Sequence, residues 1–145
     1  MKLARNLLLL LIASLLFFSV SIQAQTETYR ARLSPMPTTP QTVTTITGEG
    51  EVILTLSGNT LSVQGNFAGM SSAATMAHVH NGPPAQPGPI VQQLVVSKSP
   101  AGEISAELEL SDEQVTALRA NELYIQIHSE NNAPGELRGW IFLRR

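Results

Sequence analysis

The sequence predicts an all-β fold, an antiparallel Greek-key β-sandwich of seven or eight strands with one short helix, and three observations support this. Apolar and polar residues alternate with a period of two through most of the chain. Short clusters of Gly, Pro, Asn and Ser separate the alternating segments. Strands do not alternate with long helical patterns, and no internal repeat is visible, so a parallel sheet is not indicated.

Residues 1–24 read as a secretory signal peptide. Lys2 and Arg5 precede an apolar run from Leu7 to Val20, and Ala24 supplies the small residue expected before cleavage. Residues 25–145 then form the folded domain, exported to the periplasm or secreted. Losing Lys2 and Arg5 moves the formal net charge from −2 to −4. A mildly acidic chain without a basic, aromatic-studded platform does not suit nucleic acid. The mature chain has no further membrane-spanning run. With no cysteine, stability rests on packing, and thiol or iron–sulfur chemistry is excluded.

The first strand is expected over 27–33, and Pro35, Pro37 and Pro40 make 34–41 a loop or irregular edge. Val52, Leu54 and Leu56 alternate into the turn Ser57-Gly58-Asn59, and Leu61 and Val63 lead out of it, so 51–67 is a hairpin. A third clear strand covers 75–80. The segment 81–89 is rich in proline and glycine, cannot join a ladder, and forms a rigid exposed loop. Strand character resumes over 90–96 and again over 102–110, where Ile104, Ala106, Leu108 and Leu110 share one face. Ser111 and Gln114 then form a capping box that opens a helix over about 111–120. Leu123, Ile125 and Ile127 return to strand alternation, and 137–143 closes the chain.

All three histidines fall in two of these strands. Ala77 and Val79 are the core-facing pair of 75–80, which turns Met76, His78 and His80 to the opposite face. In the same way Leu123, Ile125 and Ile127 turn Tyr124, Gln126 and His128 away from the core. His78 and His80 stand about 6.5–7 Å apart at Cα, close enough for both rings to bend onto one ion. With His128 from a neighbouring strand they make a three-nitrogen site suited to copper or zinc. Met76 is in phase as a distant thioether. Alternatively, the histidines bond to backbone carbonyls and simply pin the adjoining loop. Arg138 is expected to be structural, reaching Glu136 or the carbonyls of the Pro-rich loop. Glu130 and Glu136 read as turn carboxylates that cap or pair, and no serine sits in a nucleophile elbow.

The segments Ala77-His78-Val79-His80-Asn81-Gly82-Pro83, Gly88-Pro89-Ile90-Val91 and Leu123-Tyr124-Ile125-Gln126-Ile127-His128 are followed by Asn132-Ala133-Pro134-Gly135-Glu136-Leu137-Arg138-Gly139-Trp140-Ile141. Together they resemble the CHRD domain, the repeated module of chordin that also occurs singly in bacterial secreted proteins. The resemblance spans about residues 28–143. Leu33-Ser34-Pro35-Met36-Pro37 departs from the Val-Pro-Pro usual in the family. The chain is also similar, more weakly, to copper-zinc superoxide dismutase through its His-x-His pair, but it lacks the fourth copper histidine, the zinc subsite and the disulfide cysteines. The CHRD resemblance implies a secreted or periplasmic, non-catalytic binding or structural module with a protein partner. The histidines imply the alternative, a copper- or zinc-binding protein that uses His78, His80 and His128, with metal buffering as its role.

Overall fold

The computed structural model describes residues 25–145, so the signal peptide expected over 1–24 lies outside the described residues. Eight strands follow in order: β1 (Thr26–Pro35), β2 (Glu49–Ser57), β3 (Thr60–Ala68), β4 (Ala74–Asn81), β5 (Ile90–Val96), β6 (Gly102–Glu109), β7 (Leu123–Ser129) and β8 (Leu137–Leu143). One helix, α1 (Asp112–Arg119), lies between β6 and β7. Among the described residues no helix is long and apolar enough to cross a membrane.

The expected sandwich is corrected by the pairing. The strands close into a barrel in the order β1-β2-β3-β6-β5-β4-β7-β8. Closure comes from antiparallel pairing of the first strand with the last, through Tyr29↔Leu143, Ala31↔Ile141 and Ser34↔Arg138. The opposite seam is thinner, with β5 meeting β6 only at Val95↔Ser105 and Val96↔Ile104. A closed barrel and a sandwich demand the same inward–outward alternation, so strand periodicity cannot separate them. What separates them is whether the ends pair, and that depends on close approach. A Cβ on Gly139 would lie 2.3 Å from the carbonyl oxygen of Arg32, so glycine is needed for β8 to lie this near β1.

The barrel is filled by inward side chains, including Leu54, Leu56, Leu61, Ile104, Ile125, Ile127 and Ile141, each essentially inaccessible to water. Each such burial stabilises the fold by roughly 1.5–3 kcal/mol relative to exposure. The helix has the expected capping box: Ser111 accepts from the Gln114 backbone N–H, and the Gln114 side chain accepts from that of Ser111. It buries Val115 and Leu118 in the same core, while Arg119 forms an ion pair with Glu27 at the start of β1.

Two strands depart from the one-face-buried pattern. Every residue of β7 is buried, and so are Ala77 through His80 of β4. The inward face of these strands packs in the core, so something else must cover the outward face. The covering comes from the segments 81–89 and 130–136.

Candidate metal centre

The β4–β7 register sets the site. Met76 lies opposite His128, His78 opposite Gln126, and His80 opposite Tyr124. His78, His80 and His128 therefore share one outward face, as their parity predicts, but they are buried, at 7, 7 and 8% exposure. One ring nitrogen from each comes within 4.8 Å of the others. His78 Nδ1 stands 3.2 Å from His128 Nε2. Met76, by contrast, remains 46% exposed. On the other side of β4 the register with β5 shifts between Val79 and His80, an irregularity of the kind that re-aims side chains beside sites.

Two of the imidazoles are oriented by loop carbonyls. His80 Nδ1 donates to Gly88 O at 2.9 Å, and His128 Nδ1 donates to Ala133 O at 2.8 Å. A neutral imidazole carries one N–H, so these bonds leave both Nε2 atoms as lone-pair donors. His128 Nε2 then accepts the proton of His78 Nδ1. His80 Nε2 is buried with no hydrogen-bond partner.

The Pro-rich loop is exposed over 83–87, as its composition predicts, but its two ends are anchored over the site. Gly88 N donates to the Tyr124 hydroxyl at 3.0 Å, and Trp140 Nε1 donates to Gly82 O at 2.9 Å. A Cβ on Gly88 would fall 1.7 Å from Asn81 O, so the loop closes over His80 only with glycine there. The Tyr124 ring stacks on His80 with centroids 4.8 Å apart, and Trp140 packs behind Tyr124 at 4.9 Å.

Arg138 does not reach Glu136 or the Pro-rich loop, as the sequence suggested. Its Nε and Nη2 both donate to Gln126 Oε1, at 2.9 and 2.7 Å, and its guanidinium lies 4.9 Å from the Tyr124 ring centre. Gln126 Nε2 in turn donates to Pro134 O at 2.8 Å, tying the second loop down beside His128. Glu136 is structural, as a turn carboxylate is expected to be. It is fully buried, and its Oε1 accepts from the Ser71 and Thr47 backbone N–H groups at 2.7 and 3.1 Å.

The electrostatics favour neutral imidazoles. Burial pushes the His78 pKa below the ordinary histidine value, and the neighbouring His128 and His80 add to this. Burial also lowers that of His80, offset in part by the Gly88 carbonyl, with His128 and the Arg138 charge lowering it further. Neutral imidazole is the form that ligates metal.

Sequence reasoning placed Tyr124 and Gln126 on the histidine face without giving them a role. It missed Gly88, Ala133 and Trp140 as parts of the site. The shared parity of Tyr124, Gln126 and His128 was the available signal. The carbonyls of Gly88 and Ala133 leave no trace in side-chain pattern.

No curated protein and no solved structure matches the chain. The family profile described as the CHRD domain matches residues 29–141, which include every side chain of the site. The chain belongs to the CHRD-domain family.

Proposed function

We propose that this protein is an extracytoplasmic metal-binding protein that holds copper or zinc through His78, His80 and His128, and that its role is to buffer the ion without turnover. The observation that carries this reading is the unpartnered His80 Nε2, buried beside the other two rings. If the histidines served only to pin loops, the bonds to Gly88 and Ala133 would be explained, but a buried acceptor would be left unsatisfied at a cost of about 1–3 kcal/mol. A metal ion satisfies it.

The dimensions support the assignment. Two nitrogens bound at 2.0–2.1 Å with near-tetrahedral angles lie about 3.3 Å apart, against 3.2 Å for His78 Nδ1 and His128 Nε2. The three nitrogens lie within 4.8 Å of one another, and a near-tetrahedral ion holds each pair about 3.3 Å apart, so the widest pair closes by up to about 1.5 Å on binding. To offer Nδ1 to an ion, neutral His78 changes tautomer, its single proton moving from Nδ1 to Nε2. The backbone carbonyls on the far nitrogens of His80 and His128 are the outer-shell partners that fix ring orientation and tautomer. Three imidazoles without a thiolate or carboxylate suit copper(II) and zinc over calcium or magnesium.

X-ray absorption on the zinc- or copper-loaded protein tests this. Three imidazole nitrogens in the first coordination shell are expected. A shell dominated by oxygen, or one unchanged in His80→Ala, contradicts the proposal.

A further inference from the structure

The outward face of β1 and β8 carries a second feature that the histidine cluster does not use. A groove of about 740 Å³ runs along it, lined by Arg30, Arg32, Arg138, Arg144 and Arg145. Within residues 25–145 only Lys98 and Arg119 are cationic and lie outside it, although the chain as a whole is acidic. No Asp or Glu side chain lines the groove. Arg30 is partly neutralised by its pairing with Glu51, and Arg119, elsewhere, by Glu27. Arg32 and Arg144 are exposed and form no ion pair among the described residues.

The floor between the guanidiniums is aromatic. Trp140 lines the groove half-buried, and Phe142 is 47% exposed, opposite Arg30 in register. Cation and apolar surface thus alternate along the two strands. Arg138, Trp140, Phe142 and Arg144 follow one another at every second position along and just past β8, a repeat of about 6.5–7 Å, which is also the spacing of alternate side chains in any extended peptide. Guanidinium forks match carboxylates in a bidentate geometry.

We propose that the β1–β8 face is a docking groove for an extended acidic peptide segment. Every second residue of the segment faces the groove: an acidic residue at one end lies by Arg32 and Arg138, two apolar side chains lie on Trp140 and Phe142, and an acidic residue at the other end lies on Arg144, while the residues between them face solvent. The groove does not depend on the metal: it shares Arg138 and Trp140 with the scaffold of the histidine site, but none of the three histidines lines it.

Trp140 is the single tryptophan of the chain and reports on the groove directly. The purified protein, held in chelator so that metal plays no part, is titrated with acetyl-Glu-Ser-Leu-Ser-Leu-Ser-Glu-amide, its glutamine counterpart, a polygalacturonate oligomer and phosphatidylglycerol vesicles. The expected result is a saturable change in Trp140 emission with the acidic peptide that weakens with salt. Arg32→Gln and Arg144→Gln, both at exposed positions, should each lower the affinity by about tenfold. The proposal is overturned by no response to the acidic peptide, by equal binding of the glutamine peptide, by indifference to both substitutions, or by oligomer or vesicle binding as strong as the peptide's.

Discussion

His78 Nδ1 and His128 Nε2 stand 3.2 Å apart although fifty residues separate them in the chain. The contact depends on the β4–β7 register, which places His128 diagonally beside His78 and not directly opposite it. It also depends on Ala133, whose carbonyl accepts a hydrogen bond from the Nδ1–H of His128 and so leaves the Nε2 lone pair facing His78. The histidine centre is thus a product of two strands and two loops, and each part makes a separate prediction.

The loop over His80 should fail as a unit. In Gly88→Ala the new methyl group meets Asn81 O at 1.7 Å, so the loop must shift and Gly88 O must leave His80. Loss of an outer-shell partner typically costs 10–100-fold in metal affinity, and a fall of about that size is expected here. Zinc titration of the variant measures it, with thermal unfolding as a check that the barrel persists.

Gln126 links Arg138 to the second loop. Gln126→Leu keeps the side-chain bulk but leaves the Arg138 guanidinium and the Pro134 carbonyl without their partner. A stability loss of about 1–3 kcal/mol is expected from the unsatisfied groups, read by denaturant unfolding of the metal-free protein.

Acid should act in two separate windows. His78 and His80 have folded pKa values below the ordinary 6.5, so above that value they remain neutral in both states. As pH falls below 6.5 the unfolded chain takes up protons first, and stability declines until the folded pKa values are passed. Glu136 acts lower. Burial raises its pKa, but hydrogen bonds from Ser129, Ser71 and Thr47 outweigh this and hold it below 4.5. Its contribution is present above 4.5 and is lost as pH falls through the depressed value. Unfolding measured against pH should show both declines, with the upper one flattened in the His78→Ala, His80→Ala double variant and the lower one in Glu136→Gln.

Much of this fold is legible in the sequence because burial imposes a period of two on each strand. Ile104 and Leu108 declare their inward face, and Ser111 with Gln114 declares the helix start. The face of His78, His80 and His128 follows from the same parity. Closure of the barrel is not legible, since the pairing of Tyr29 with Leu143 joins opposite ends of the domain and changes no local alternation. Nor is the depth of burial of the histidines. Outward parity in a sheet ordinarily means exposure, and here the 81–89 segment folds back through Gly82, Gly88 and Trp140 to cover that face. Arg138 shows the same limit: its parity was readable, but its partner Gln126 lies across a strand pair and not along the chain.

The central claim is that the three histidines form one metal site. Calorimetric titration of the metal-free protein with copper(II) and zinc(II), repeated on His78→Ala and His128→Ala, tests it most directly. One ion per chain bound at micromolar strength or tighter, weakened at least a hundredfold in both variants, is the predicted result. Absent binding, or weak binding that neither substitution changes, would contradict the claim and leave the histidines as struts of the barrel wall.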